Sequence, residues 1–296
     1  MDNRGQLTVA LPSHQPLPLI TKLLFYGVLP IALPIVVLYK ILTDKSYRKT
    51  TTSLFSLVNG ATKKSCAAEW YFQDVGLLNK LWCLPSAATY IQKSADGNNE
   101  NDTPLLEYQV REGYCGSATQ RCILKSLGYP SKSIPDQKGG ESKPDLWCGH
   151  VKQIAKESSL GDDGVEIETT IVRGSDVTYK EFLSTLRQGL ENPDCRICCN
   201  YLRSALTGFE LTGLWKFHPL FLVLKLYGGH FSPILGMIEQ DMEEEKDNPF
   251  IAIFDTNHKY NGAYFVPCKR LYEAVSSIDV GSKKSRAIIL VKKKSA

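Results

Sequence analysis

An excess of charge is missing from this chain. Its 35 Lys and Arg residues against 31 Asp and Glu give a net charge of +4, too mild to recruit nucleic acid. No internal repeat is visible, which sets aside solenoids and propellers. The nine cysteines are an odd number without even spacing, so a complete disulfide framework is not expected and a reducing compartment is. Only one close cysteine cluster occurs, Cys195-x2-Cys198-Cys199. A dedicated metal-binding protein would need repeated pairs, although these three residues remain candidate ligands for a soft metal. The 296 residues suffice for one sizeable core plus an appendage.

Charge is absent altogether from residues 23–39, inside an apolar run over 17–42 flanked by Lys22 and Lys40. That length is close to the ~20 residues that cross a bilayer. Pro30 and Pro34 would cost ~3 kcal/mol each inside a soluble helix but are tolerated in a membrane helix. A buried core helix and a cleaved signal peptide are the alternatives; no small-x-small cleavage site follows the run. The expectation is an N-terminal transmembrane helix within residues 1–43, a Lys/Thr/Ser-rich tether over 44–65 and one folded domain over 66–296. Lys40, Lys45, Arg48 and Lys49 after the run outnumber Arg4 and Lys22 before it. That bias describes a single-pass membrane protein with the folded domain facing the cytoplasm.

Within the domain, residues 109–120 read as a loop entering a helix, with Gly113 and Gly116 flanking Cys115. Ala118, Cys122, Ile123 and Leu127 follow at helical spacing, ending at Gly128. Cys115 then occupies the first helical turn, where free N–H groups and the helix dipole favour thiolate over thiol. A cysteine near a helix start is also a common small core residue; a nucleophile needs a base, and the base an orienting group. Residues 221–227 and 250–254 read as strands, the first followed by His230 and the second by Asp255. Gln109, six residues before the cysteine, carries an amide able to donate to an oxyanion. Elsewhere, residues 151–158, 179–190 and a stretch opening at Pro267 read as helices, and 165–172, 197–202 and 287–291 as strands. Residues 94–103 and 130–145 read as surface loops, and the Lys283-Lys284-Ser285-Arg286 group as a solvated face.

Gln109-x5-Cys115-Gly116, Gly229-His230-Phe231-Ser232-Pro233-Ile234, Asp255, Val266-Pro267 and Leu271-Tyr272-Glu273-Ala274 together resemble the catalytic domain of phytochelatin synthase, over roughly residues 80–292. The resemblance implies an α+β, papain-like cysteine-peptidase fold, a helical lobe facing an antiparallel sheet lobe. It implies Cys115 as nucleophile, His230 as general base and acid, Asp255 as its orienter and Gln109 as oxyanion donor. The implied reaction releases glycine from glutathione and passes the γ-Glu-Cys thioester to a second glutathione, building phytochelatins for heavy-metal detoxification. No tightly bound cofactor is implied; cadmium, zinc or copper arrives as a glutathione thiolate. Where family members carry arginine and lysine after the aspartate, this chain has His258 and Tyr260 as candidate substrate-binding residues, so a larger share of hydrolysis is expected. Glu112-Gly113 replaces the family's usual proline or alanine, and residues 204–220 look inserted.

Overall fold

The computed structural model of the chain describes residues 8–12, 19–65, 73–93, 103–140, 143–158, 166–208, 223, 226–240, 247–260 and 262–294. Helices α1 (Leu19–Leu23), α2 (Leu29–Thr43), α3 (Lys45–Ser65), α4 (Val75–Trp82) and α5 (Pro85–Ala88) come first. Strands β1 (Ile91–Gln92) and β2 (Thr103–Pro104) precede α6 (Cys115–Ser126) and α7 (Pro144–Ser158). Then follow β3 (Ile167–Arg173), α8 (Tyr179–Glu191), β4 (Cys195–Leu202), α9 (Ser204–Thr207), β5 (Gly229–Ile238) and β6 (Phe250–Phe254). The chain ends with β7 (Ala263–Pro267), α10 (Cys268–Ser276) and β8 (Ala287–Lys293).

Six strands form one sheet in the order β3-β8-β4-β5-β6-β7, each neighbouring pair antiparallel. Every residue of β4 is buried, as are residues 230–236 of β5, so the sheet needs cover on both faces. On one face, Leu81 of α4, Ile123 and Leu124 of α6, and Trp147 and Val151 of α7 pack with Phe231, Leu235, Phe254 and Ile289. On the other, Leu54 and Val58 of α3, Phe182 and Leu186 of α8, and Leu271 and Val275 of α10 pack with Ile197, Tyr201, Ile253 and Ile288. Each fully buried aliphatic or phenyl side chain contributes roughly 1.5–3 kcal/mol. The class is α+β with an antiparallel sheet, but its helices lie on both faces rather than gathering in one lobe, because these strands are apolar on both sides.

Apart from the strand expected over 221–227, the expected helices and strands of the domain are present, with boundaries moved by up to seven residues. Helix α8 starts with a capping box: Thr178 accepts from the Glu181 backbone, and the Glu181 side chain accepts from the Thr178 backbone. Helix α6 stops at Gly128, whose φ of +93° suits only glycine. Of the strand expected over 221–227, the described residues Val223, Leu226 and Tyr227 are helical instead and the rest lie outside the described residues; the strand begins at Gly229 and contains His230. Of the loop expected over 94–103, residues 94–102 lie outside the described residues.

The N-terminal expectations need larger corrections. Residues 44–65 are not an extended tether; α3 fills most of them, buries Leu54, Val58 and Ala61, and packs against α9. Among the described residues no helix is long and apolar enough to cross a membrane. This overturns both the transmembrane helix and the single-pass placement with a cytoplasm-facing domain. Pro30 sits in the first turn of α2 and Pro34 inside it. A proline nitrogen has no hydrogen to give the preceding turn, and the backbone before Pro30 widens into a π-helical segment, Leu24–Val28. From Leu19 to Thr43 the helix changes from α to π and back to α, in stretches of 5, 5 and 15 residues. The longest spans about 22 Å, short of the ~30 Å hydrocarbon core.

Candidate active site

Cys115 is the first residue of α6 and is half-buried. The Tyr114 side chain makes no capping hydrogen bond, which leaves the first-turn N–H groups without a side-chain cap beside the sulfur. The helix start is fixed from α7: Trp147 Nε1 donates to the Gly116 carbonyl at 2.9 Å, and the Trp147 ring stacks on Phe231 of β5. Ser117 Oγ donates to the Lys138 carbonyl at 2.7 Å. Helix α6 itself packs against β5, the strand that carries His230.

Antiparallel order brings the other groups to one end of the sheet. There the C-terminal ends of β4 and β6 meet the N-terminal ends of β5 and β8, with Leu202 opposite Gly229, Tyr201 opposite His230 and Asn200 opposite Ala287. Asp255 follows β6 and is fully buried. Its Oδ1 accepts from His230 Nε2 at 2.9 Å and from the Asn257 backbone at 2.8 Å. Its Oδ2 accepts from Nη2 of Arg203, the residue after β4. The Arg203 guanidinium in turn lies over the Tyr260 ring, 3.5 Å from its centroid. The structure therefore brings Cys115, His230 and Asp255 together and adds Arg203, which no sequence pattern announces.

These contacts set the charges. Burial is the strongest influence on Cys115 and opposes its ionisation, but the His230 charge and hydrogen bond, the Phe231 backbone and the Arg203 charge outweigh it. The thiol lies below its ordinary value. Burial and Arg203 disfavour protonated His230, yet the Asp255 and Cys115 charges and the Asp255 hydrogen bond raise its pKa. Asp255, despite burial, is lowered to about 2 by His230 and Arg203. Both shifts run in the direction of a thiolate facing an imidazolium. The remaining buried cysteines move the opposite way: burial raises Cys122, Cys148, Cys195, Cys198, Cys199 and Cys268.

A cavity of about 230 Å³ opens onto Cys115 and is lined also by Lys143, Gly229, Phe231, Asp279 and Arg286. Arg286 is 2% exposed, so it does not belong to the solvated face expected of its neighbours. Its Nη2 donates to the Tyr227 carbonyl at 3.1 Å, while its Nε finds no partner among the described residues. Burial pushes it down to about 10, and Asp279 opposes that shift. Gly229 permits this placement, since a Cβ there would overlap Arg286 Nη1 and touch Asn200 Nδ2, itself buried and unpartnered among the described residues. No spacing in the sequence marks Asp279, Arg286 and Asn200 as a group. The one available signal is that Arg286, alone of its basic group, stands directly before an apolar strand.

Gln109 is buried, its backbone N–H donates to the Thr256 carbonyl at 2.7 Å, and its Nε2 donates to Glu112 Oε2 at 3.2 Å. His258 is exposed and meets the Tyr108 ring edge-on, whereas Tyr260 is engaged with Arg203. The three clustered cysteines do not converge. Strand alternation points Cys198 into the core beside α6 and α7, and Cys195 and Cys199 into the core beside α8 and α10. Among the described residues no group of three or more His, Cys, Asp or Glu side chains is placed to hold a metal ion. In comparison with known proteins, the chain matches no protein-family model, and no curated protein is significantly similar to it. The chemistry of the site therefore rests on its own residues.

Proposed function

We propose that the protein is a cysteine-nucleophile acyltransferase whose donor is glutathione. The observation that carries the reading is the cavity beside Cys115, with a buried, under-bonded Arg286 and Asp279 in its wall. A cation and an anion lining one cavity suit the α-carboxylate and α-ammonium of a free amino-acid terminus, which the γ-glutamyl end of glutathione offers and an ordinary peptide bond does not. The volume falls below the ~300 Å³ usual for drug-sized ligands, in keeping with a two-residue acyl group.

In this reading the Cys115 thiolate attacks the Cys–Gly carbonyl, and the oxyanion is met by the first-turn N–H groups and Gln109. The C–N bond breaks, glycine leaves with a proton from His230, and a γ-Glu-Cys thioester remains. The amine of a second glutathione, deprotonated by His230, then attacks; the C–S bond breaks and the thiolate returns. Asp255 holds the imidazole throughout. Cadmium, zinc or copper enters on the glutathione sulfur as part of the substrate. Hydrolysis of the thioester is the second reading, favoured by one observation: exposed His258 and the stacked Tyr260 offer no fixed cation for an anionic acceptor.

Incubation with glutathione and cadmium, with products read by mass, tests both. Free glycine with (γ-Glu-Cys)2-Gly is the expected result, and glycine with γ-Glu-Cys alone marks a hydrolase. Cys115→Ala is expected to abolish glycine release, as loss of a nucleophile costs several orders of magnitude. Undiminished release from that variant, or none from the unaltered protein, overturns the assignment.

A further inference from the structure

We propose that Glu112 is a positioning residue that sets which end of the Gln109 amide faces the reacting carbonyl. The inference rests on the reading of Gln109 as an oxyanion donor. Glu112 uses both oxygens: Oε2 accepts from Gln109 Nε2 at 3.2 Å, and Oε1 accepts from Asn257 Nδ2 at 3.1 Å and Lys259 Nζ at 3.4 Å. The Asn257 backbone donates to Asp255 Oδ1 at 2.8 Å, the same oxygen that holds His230 Nε2. One carboxylate thus joins the oxyanion donor to the residue that orients the base.

An amide side chain has two ends of nearly equal shape, one with two donors and one with two lone pairs, and only its partners fix the choice. Gln109 is 5% exposed, and its Oε1 has no partner among the described residues. A carboxylate beside the amide accepts the NH2 end and repels the carbonyl end. One Nε2 hydrogen goes to Glu112, and the second is left for an oxyanion. The Glu112 charge does not oppose that oxyanion strongly, because Lys259 faces it. With the amide turned over, lone pairs would meet the developing negative charge and the donor would be lost.

Glu112 is 68% exposed in its side chain, so its replacement does not open a core. The test compares two reactions of Cys115. Acylation by 4-nitrophenyl acetate forms an oxyanion as the thiolate adds to the ester carbonyl, before the C–O bond breaks and nitrophenolate departs. Alkylation by iodoacetamide displaces iodide and forms none. Glu112→Ala is expected to slow acylation roughly tenfold or more, a sizeable part of what losing an oxyanion donor costs, and to leave alkylation unchanged. Glu112→Gln is expected to restore most of the rate, since its amide oxygen can accept the same hydrogen bond. Gln109→Ala should cost at least as much, with no further loss when Glu112→Ala is added to it. Acylation at the unaltered rate in Glu112→Ala, equal losses in both reactions, or losses that add in the double variant would overturn the proposal. Glycine release from glutathione reports on the underlying function separately: its absence in a protein whose ester acylation follows the expected pattern removes glutathione as substrate and leaves the role of Glu112 standing.

Discussion

Replacing Arg203 by methionine removes a charge that three groups of the site feel, and the signs of its effects differ from those of a simple loss of packing. Arg203 bonds Asp255, a carboxylate with no exposure, from a side chain that is itself 15% exposed. Breaking one partner out of a buried pair costs about 3–5 kcal/mol. Asp255 keeps His230 at 2.9 Å and the Asn257 backbone at 2.8 Å, so the low end, about 3 kcal/mol, is expected by chemical denaturation. Methionine retains apolar contact with Tyr260, which limits the loss. The second effect is on titration. The Arg203 charge lowers both Cys115 and His230, favouring the thiolate and disfavouring the imidazolium. Its removal therefore raises both apparent pKa values of the pair, moving the whole thiolate–imidazolium window to higher pH. At an effective dielectric of about 20, a buried unit charge nearby is worth on the order of one pKa unit. The assay is the pH dependence of Cys115 alkylation by iodoacetamide, which needs no knowledge of the substrate. Arg203→Lys should keep the profile close to that of the unaltered protein while losing planar stacking on Tyr260. Superimposable profiles for Arg203→Met and the unaltered protein, or limbs moving in opposite directions, would refute the electrostatic argument.

Two further outcomes follow from the same geometry. Gly229→Ala forces a methyl group into the Arg286 guanidinium; overpacking of this kind costs about 1–3 kcal/mol, and KM for glutathione should rise while Cys115 alkylation is unchanged, so an unaltered KM would remove Arg286 from donor binding. The Asp255 carboxyl is lowered to about 2 from about 3.9 unfolded, so its stabilisation is present above about pH 4 and is lost as pH falls toward 2, roughly 2 kcal/mol in all. Denaturation curves at pH 4, 3 and 2 should show that loss in the unaltered protein and a flatter dependence in Asp255→Asn; parallel slopes would contradict it.

Much of the site is legible in the sequence because its signals are local. A glycine-flanked cysteine followed by apolar residues at helical spacing defines a helix start, and hydrogen bonding within one turn does the rest. Asp255 stands out because it ends an unbroken apolar strand. His230 reads as following a strand rather than lying within one, since residues 221–227 are as apolar as a strand and periodicity alone does not separate helix from strand in short apolar runs. The N-terminal run misleads in a different way. Its composition matches a membrane helix, but the turn before Pro30, whose nitrogen has no hydrogen to donate, is π-helical, and the α-helix that follows runs for only 15 residues.

The local elements, the position of Cys115 at a helix start and the candidates for base and orienter are written in the chain itself, because each depends on residues within a turn or a strand of one another. The company those residues keep is a matter of tertiary structure. Arg203, Asp255 and Arg286 are separated by dozens of positions and share no motif. They lie at one end of the sheet because antiparallel pairing of β4, β5, β6 and β8 turns alternate strand ends to the same side. The same pairing sends Cys198 to one face of the sheet and Cys195 and Cys199 to the other, dispersing a cluster whose spacing resembles half a metal site. Side-chain direction in a strand alternates with every residue, so closeness in sequence and closeness in chemistry are different things there.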